Sequence, residues 1–351
     1  MTYEDVAVLV PCHNEARTIG QVVRGFAEHL PGARVVVCDN RSTDATAEVA
    51  RAAGAIVITE RHPGKGYAVR RLFSDVDADF FLMVDGDGTY DPRVAPDMIR
   101  LMREDGVDTV LAIRVAQSAR GAAEYRAGHQ LGNRLFSRTF SSLFDTSYAD
   151  VLTGYRAFSR RFVKSCPLLA RGFDVEIELN AHGASLGMPW AEVRAPYVER
   201  IDGSESKLNT YRDGARIFRR LLRLFRDFRP ALSFGVPGLL LGLLGLVTVI
   251  PVLLTYQETG EVPRFPTLFV VIGLFLAALV LALVGAILDR AARDRLERNR
   301  LAYLALPAPW QHAGGRPGPP ALAARAADGV AAQHVHRPGT RTAGASGSAS
   351  S

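Results

Sequence analysis

The sequence predicts an α/β domain with a mostly parallel sheet, followed by two membrane-spanning helices. Three observations support this prediction. Short apolar runs alternate with amphipathic segments up to about residue 113, polar residues cluster directly after those runs, and two long uncharged stretches lie beyond residue 229. Alternating strands and helices are typical of a parallel sheet covered on both faces, and paired uncharged stretches are typical of a membrane hairpin.

Five apolar runs predict buried strands, and three further segments predict helices. The strands are predicted at residues 6–10, 35–38, 56–59, 80–84 and 109–113. The helices are predicted at residues 18–30, 44–53 and 96–104. Right-handed crossovers between parallel strands place the loops after the strands along one edge of the sheet, where ligands bind.

The composition indicates a folded protein with a modest basic excess. The 351 residues are 48% hydrophobic, with 42 Lys and Arg against 36 Asp and Glu, for a net charge of +6. This apolar content excludes a disordered chain, and the Gly and Pro content excludes collagen. Cys12, Cys38 and Cys166 lack the paired spacing of a zinc site or a disulfide framework. The first ten residues lack a basic region followed by an apolar core, so we expect no signal peptide.

Two uncharged stretches predict a transmembrane hairpin at residues 231–288. No charged residue lies between Arg229 and Glu258 or between Arg264 and Asp289. Each stretch exceeds the ~20 residues that cross a bilayer core. Most core helices of soluble proteins are shorter than this, so a core helix is the weaker interpretation. The two spans are predicted at residues 233–255 and 266–288.

Arginine-rich segments flank the hairpin and account for the basic charge. Residues 212–229 and 289–300 together hold 12 Arg and 5 acidic residues, a net charge of +7 against +6 for the whole chain. The basic excess therefore indicates a lipid bilayer as partner and no nucleic acid. Because basic flanks stay on the cytoplasmic side, we predict a multi-pass protein of the cell membrane whose N-terminal domain and C-terminal tail are cytoplasmic.

These features predict five parts of the chain. They are a domain at 1–210, a basic amphipathic interfacial helix at 211–230, the hairpin at 231–288, a cytoplasmic basic segment at 289–304 and a disordered tail at 305–351. For the interfacial helix, a coiled coil or a solvated surface helix is the alternative; the apolar stretches that follow favour the membrane interpretation.

Four loops with a high density of polar residues follow predicted strands. They are PCHNE at 11–15, CDNRSTD at 38–44, HPGKG at 62–66 and VDGDGTYD at 84–91. Each loop alone fits an ordinary surface turn. Because all four are predicted at the same edge of one sheet, together they indicate a binding site.

The loop after the fourth predicted strand carries two carboxylates two residues apart, Asp85 and Asp87. Their oxygens can converge on one hard cation, and Gly86 between them lets a ligand approach the backbone closely. Such ligands suit Mg²⁺ or Mn²⁺, which in turn suit a diphosphate. The alternative interpretation of these two carboxylates is an acidic surface turn.

In the third loop, Lys65 offers a compact positive charge, although this loop does not follow the GxxxxGK[ST] pattern of phosphate-binding loops.

Together the four loops resemble glycosyltransferase family 2, which has the GT-A fold, over residues 5–230. Within that family the chain is similar to the dolichyl- and polyprenyl-phosphate sugar transferases. The resemblance implies nucleotide-sugar contacts at Pro11, Asn14, Glu15, Asp39, Gly64, Lys65, Gly66 and Asp85. It also implies that Asp85 and Asp87 hold Mg²⁺ or Mn²⁺ on the diphosphate of the donor.

Three later segments extend the resemblance. They are DVLTGYRAF at 150–158, GFDVEIEL at 172–179 and RIDGSESKLNTYRDG at 200–214. The matching positions include Asp150, Gly154 and Arg156 in the first segment, and Glu176 and Glu178 in the second. The resemblance implies catalytic roles for Asp87, Asp150 and Glu176, and lipid-phosphate contacts at Arg114, Arg134, Arg200, Ser206 and Lys207. Structural roles are the alternative for Arg156 and Arg134.

The resemblance implies transfer of a sugar from a nucleotide-sugar donor to a polyprenyl or dolichyl phosphate acceptor at the cytoplasmic face of the membrane. A single displacement would invert the anomeric configuration. UDP-glucose, UDP-N-acetylglucosamine and GDP-mannose all stay open as donors, with UDP-sugars favoured by the DGDGTYD and GSESKLNT segments. Asp150 is predicted to orient a sugar hydroxyl or to act as a base. A homo-oligomer is compatible with the sequence.

Three other functions compete with this interpretation. DGDGT also fits the DxDGT pattern of haloacid-dehalogenase-like phosphatases, with Asp85 as nucleophile and Asp87 as acid/base, but that motif usually follows the first strand. A polysaccharide-extending synthase of the same fold usually carries QxxRW before its membrane helices, a pattern that this sequence lacks. A non-catalytic membrane scaffold would leave the carboxylate pair without a role.

Overall fold

The fold comes from a computed structural model that divides the chain into two units. One unit contains Met1–Lys207 and Asn299–Ser351, and the other contains Leu208–Arg298. The structure describes residues 2–116, 140, 144, 146, 148–172, 174–197, 222–223, 225–262 and 265–309. The first unit contains the sheet and the second contains most of two long apolar helices.

The first unit is built on a seven-stranded sheet. Its strands are β1 (Val6–Cys12), β2 (Arg34–Asp39), β3 (Ile56–Thr59), β4 (Phe80–Met83), β5 (Thr109–Ala116), β6 (Arg156–Ser159) and β7 (Trp190–Tyr197). The strand order is β3-β2-β1-β4-β6-β5-β7. Strand β6 runs antiparallel to β4 and β5, and every other pairing is parallel. The predicted mostly parallel sheet is therefore confirmed, with one reversed strand inside it.

In the described part of this unit, six α-helices connect or follow the strands. They are α1 (Ile19–His29), α2 (Thr46–Ala52), α3 (Lys65–Asp75), α4 (Ala95–Asp105), α5 (Arg160–Ser165) and α6 (Val175–Ser185). Local sequence sets some of their ends. Ser159 caps α5 by accepting a hydrogen bond from the Phe162 amide at 3.2 Å. Helix α4 ends at Gly106, whose φ of 65° favours glycine.

Apolar side chains fill both faces of the sheet. Along β1, Val8 points into a cluster with Phe26 of α1, and Leu9 points into a second cluster with Leu72 of α3. Successive side chains of a strand point to opposite faces, so a continuous apolar run requires cover on both sides. The five predicted strands are confirmed as elements of this sheet, while β6 and β7 were not predicted.

Strands β1, β2 and β4 run parallel, so their carboxyl ends lie at the same edge. Three of the four polar loops follow these ends, and the loop at 62–66 follows β3, which is parallel to β2. The sheet therefore places all four loops along one edge, as the sequence predicted. We call this edge the carboxyl edge.

The second unit contains the two predicted spans. Helix α7 (Pro230–Thr259) and helix α8 (Phe265–Leu304) extend beyond the predicted limits, and the last turn of α8 belongs to the first unit. In the described part of the chain, these are the two helices long and apolar enough to cross a membrane. The predicted interfacial helix and tail lie mostly outside the described residues, although 225–228 are helical.

A buried histidine makes the stability of the fold depend on pH. The Nε2 atom of His182, in α6, lies 3.0 Å from Ser165 Oγ, and the imidazole ring packs edge-on against Phe162. Burial lowers its pKa from 6.5 to about 4. Protonation therefore favours the unfolded chain, and stability present above pH 6.5 is lost as the pH falls toward 4.

We expect the His182→Gln variant to lose this part of the pH dependence, because glutamine does not titrate. The pKa shift corresponds to about 3 kcal/mol of unfolding free energy at full effect. Denaturant unfolding of the detergent-solubilised protein at pH 7.5, 6 and 4.5 measures it. The exposed His62, substituted in the same way, is the matched control. Parallel pH profiles for the wild type and the His182 variant would contradict the prediction.

Candidate functional site

Asn14 holds the first and second polar loops together. Its Oδ1 atom accepts a hydrogen bond from the Thr43 amide at 2.7 Å, and its own amide donates to Ser42 Oγ at 3.0 Å. The backbone at Asn14 has a φ of 58°, a conformation that asparagine tolerates better than most residues. The next amide, of Glu15, donates to Thr46 Oγ1 at 2.8 Å. The loop after β1 is therefore fixed against the start of α2.

Asn40, which the sequence analysis did not single out, joins the second loop to the third. It follows Asp39, the last residue of β2, and is buried. Its Nδ2 atom donates to the His62 carbonyl at 2.6 Å, and its Oδ1 atom accepts from the Gly64 amide at 2.7 Å. Asp39 Oδ1 accepts from the Ser42 amide at 3.2 Å. Asn40 directly follows the predicted site residue Asp39 in the CDN motif, and this position was the signal in the sequence that could have identified it.

The third loop needs glycine because another backbone segment lies against it. A Cβ atom on Gly64 or Gly66 would overlap carbonyl oxygens of the segment 169–171. Gly64 also has a φ of 132°. Glu178 of α6 holds that segment, since its carboxylate accepts hydrogen bonds from the two amides at its start, at 2.8 and 2.5 Å. Glu178 is thus a structural residue of the third loop.

Lys65 connects three parts of the site. It is the first residue of α3, and its Nζ atom lies 2.5 Å from Asp85 Oδ1 and 2.6 Å from Glu176 Oε1. Burial by itself would lower the pKa of Lys65, but the two carboxylates more than offset this and raise it above its ordinary value. Lys65 is therefore charged, and it brings the third loop, the fourth loop and α6 to one point.

Two glycines make room for the carboxylates after β4. A Cβ atom on Gly86 would overlap the Glu15 carboxylate and Cys12 Sγ, and one on Gly154 would overlap the Asp85 carboxylate. Asp87 Oδ1 accepts from the Thr89 hydroxyl at 2.7 Å. The fourth loop is therefore packed against both the first loop and the segment before β6.

Glu15 adds a third carboxyl group to this region. Burial, followed by the negative charges of Asp85 and Asp87, raises its pKa from 4.5 to about 8. Its Oε2 atom is buried and has no hydrogen-bond partner in the described part of the chain. The carboxyl groups of Glu15, Asp85 and Asp87 thus share one region. The positive charge of Lys65 acts in the opposite direction and lowers the Glu15 pKa.

This donor set fits a divalent cation held together with a ligand. Among the described residues, no three His, Cys, Asp or Glu side chains form a ready metal site. Asp85 and Asp87 supply carboxylate oxygens, and Mg²⁺ commonly takes one or two carboxylates plus substrate phosphates. Such a cation would offset the negative charges of Asp85 and Asp87, which raise the Glu15 pKa.

Asp150 lies beside Arg114 of β5 and is buried. The guanidinium donates from Nε to Oδ2 at 2.8 Å and from Nη2 to Oδ1 at 3.0 Å. Two parallel hydrogen bonds of this kind fix the mutual orientation of both groups. The structure thus pairs a predicted catalytic residue with a predicted lipid-phosphate ligand.

Arg156 is a structural residue. It is fully buried, and its guanidinium donates to the carbonyl oxygens of Thr153 and Val151, both at 2.7 Å, and to Asn180 Oδ1 at 2.5 Å. These contacts shape the segment 150–156, which places Gly154 against Asp85. Tyr90, also missed by the sequence analysis, accepts from the Gly154 amide at 3.0 Å.

The structure brings together most of the predicted residues that it describes. Lys65, Asp85 and Glu176 are in direct contact, and Glu15 lies against Gly86. The others at the same edge are Pro11, Asn14, Asp39, Gly64, Gly66 and Asp87. Arg134, Arg200, Ser206 and Lys207 lie outside the described residues.

Comparison with known proteins identifies the family of this chain. Residues 7–166 match glycosyl transferase family 2. The chain is 37% identical over 240 residues to glycosyltransferase AglJ of Haloferax volcanii, covering 68% of this chain and 77% of that protein. It is 31% identical over 229 residues to dolichyl-phosphate hexose transferase of the same organism, covering 65% of this chain and 97% of that protein.

A solved structure, glucosyl-3-phosphoglycerate synthase of Mycobacterium tuberculosis, superposes with a TM-score of 0.49 at 23% identity, covering 63% of this chain and 79% of that one. The sequence matches, and not this distant likeness, define the class. The chain belongs to glycosyl transferase family 2 and is a glycosyltransferase. Its mostly parallel sheet is that of the GT-A fold. Family membership excludes the phosphatase and scaffold interpretations.

We expect the Asn40→Ala variant to loosen the third loop, because three hydrogen bonds of the Asn40 side chain are lost. Hydrogen exchange of the amides at 60–66 should accelerate, and the unfolding free energy should fall by about 1–3 kcal/mol, since the Gly64 amide loses its partner. The Asn14→Ala variant, which loosens a different pair of loops, is the control. Unchanged exchange at 60–66 in the Asn40 variant would contradict the prediction.

Proposed function

We propose that this glycosyltransferase transfers a hexose from a nucleotide sugar to polyprenyl or dolichyl phosphate at a membrane surface. The observation that carries the proposal is the convergence of Lys65, Asp85, Glu176 and Glu15 at the carboxyl edge. With a divalent cation on Asp85 and Asp87, this arrangement would suit a bound diphosphate, and the same chain carries two long apolar helices. A relative of which the chain covers 97% is named a dolichyl-phosphate hexose transferase, which favours a lipid-phosphate acceptor over polysaccharide extension.

On the donor side, Pro11, Asn14, Glu15 and Asp39 would contact the nucleoside. Their loops are tied to one another and to the third loop, so a nucleoside site formed by them would be preformed. The backbone at Gly64 and Gly66, which carries no side chain, lets the diphosphate approach closely.

Asp85 and Asp87 would hold Mg²⁺ or Mn²⁺, which when bound would stabilise the negative charge that develops on the leaving diphosphate. Lys65 is charged and buried beside Asp85, so it would add a fixed positive charge where water does not screen it. Glu176 fixes the position of that ammonium group from the other side.

On the acceptor side, the attacking atom is an oxygen of the lipid phosphate. This group is anionic near neutral pH and needs little help from a base. Arg114 would bind it, together with Arg134, Arg200, Ser206 and Lys207. Asp150 holds the Arg114 guanidinium at two points, which suits a positioning role, and orienting a sugar hydroxyl or acting as a base are its other candidate roles. In a single displacement the C1–oxygen bond to the diphosphate breaks as the bond to the acceptor oxygen forms, with inversion at C1.

The membrane part of the proposal rests on α7 and α8. Their most apolar windows have only 17% and 11% of residues buried, which favours membrane spans over the core helices of a soluble domain. Their lengths of 30 and 40 residues exceed the ~20 needed to cross the bilayer core. With arginines at both outer ends, the positive-inside rule would place the catalytic unit on the cytoplasmic face of the cell membrane.

The experiment incubates purified protein in vesicles with polyprenyl phosphate, Mn²⁺ and a panel of radiolabelled UDP- and GDP-sugars, and identifies the labelled lipid. We expect one hexose to be transferred, with a UDP-sugar favoured, and EDTA to stop the reaction. A soluble or polymeric product in place of a glycosyl lipid phosphate would contradict the proposal.

The Asp85→Asn and Asp87→Asn variants test the metal site separately. Each should lower transfer by about a hundredfold or more, because a charge that stabilises the transition state is lost. Each should also weaken Mn²⁺ binding, as measured by electron paramagnetic resonance with nucleoside diphosphate present. The Asp97→Asn variant, on the exposed surface of α4, is the matched control. Undiminished transfer in either site variant would remove the metal role.

A further inference from the structure

A second buried charged cluster lies at the opposite edge of the sheet, where the proposed reaction does not use it. Asp108 precedes β5 and is fully buried. Its carboxylate accepts hydrogen bonds from Ser159 Oγ at 2.6 Å and from the Arg161 guanidinium at 2.5 and 2.7 Å. Since β5 and β4 both run antiparallel to β6, Asp108 lies at the amino edge, about 20 Å from Arg114 along the strand at ~3.3 Å per residue.

A further donor to Asp108 comes from a distant part of the sequence. Tyr303, 195 residues later, donates from its hydroxyl to Asp108 Oδ2 at 2.8 Å. The Tyr303 ring packs against the apolar cluster of the sheet, with the Arg161 guanidinium 4.5 Å from the ring centre. Nearby, Arg300 Nη1 donates to the Leu186 carbonyl at 3.1 Å, and Pro309 is buried.

We infer that residues 299–309 form a clasp, a structural part of the catalytic unit seated on the amino edge of its sheet. The partner of the surface around Asp108 is thus this chain's own segment at the end of α8 and directly after it. Contacts already group Asn299 and later residues with the sheet. Arg300 and Tyr303 therefore hydrogen-bond to residues of the catalytic unit, Leu186 and Asp108.

The contrast within α8 supports this assignment. Arg290 and Arg293 are exposed and pair with acidic residues one turn away on the same helix, Asp294 and Asp289. Such exposed pairs contribute little to stability. Tyr303 instead completes the hydrogen bonding of a buried carboxylate, and a buried acceptor that loses a donor is costly. The end of α8 is thus held by specific contacts.

The test uses the full-length protein in detergent with Tyr303→Phe, which removes only the hydroxyl, and Tyr303→Ala, which also removes the ring. The Leu304→Ala variant, at the exposed neighbouring position of the same turn, is the control. We expect Tyr303→Phe to lower the melting temperature of the catalytic unit by about 2–4 °C and Tyr303→Ala to lower it further. Tryptic cleavage at Arg298 and Arg300 should accelerate about tenfold in Tyr303→Ala, because the released segment becomes accessible.

A double-mutant cycle with Asp108→Asn assigns the effect to the Tyr303 hydroxyl. In the Asp108→Asn background, Tyr303→Phe should shift the melting temperature less than it does in the wild type. Wild-type melting and cleavage in Tyr303→Ala, or equal changes in Leu304→Ala, would overturn the clasp. If Asp108→Asn does not fold, the Tyr303 variants alone decide. None of these readouts depends on sugar transfer, so the clasp and the proposed function fail or succeed separately.

Discussion

The candidate site depends on one buried ammonium group that lies between two carboxylates. Without Lys65, the buried carboxylate of Glu176 and the half-buried carboxylate of Asp85 would be two negative charges close together, and Glu176 would carry an uncompensated desolvation cost. The contact also has a geometric consequence. Lys65 begins a helix, Asp85 follows a strand and Glu176 lies in the first turn of another helix, so one side chain sets the spacing of three elements.

Much of the fold was predictable because buried parallel strands are continuous apolar runs. Runs such as Phe80–Met83 have no polar residue, and their short length favours a buried strand over a buried helix. The two strands that were missed lack this signal. Strand β6 has only four residues and begins with Arg156, whose charge the Thr153 and Val151 carbonyls and Asn180 satisfy from outside the strand. Strand β7 mixes charged and apolar residues and contains a proline.

The site was predictable as a set of residues, and less so as a set of contacts. Parallel strands bring their carboxyl ends to one edge, so the four loops could be grouped from sequence alone. Lys65 and Glu176 are 111 residues apart, and no spacing rule links them. Glu176 and Glu178 differ in role because positions two apart on a helix point to different sides, one toward Lys65 and the other toward the amides of Leu169 and Ala170. The pairing of Arg114 with Asp150 likewise depends on the fold.

The crowding around the carboxylates limits how this enzyme could be redesigned. At Gly64, Gly66, Gly86 and Gly154 the space that the smallest side chain would need is already filled by backbone or by an acidic group. A library that changes donor preference would find almost every member defective at these four positions, whatever amino acid is chosen. Useful diversity must come from positions at the same edge whose side chains are exposed, such as His13.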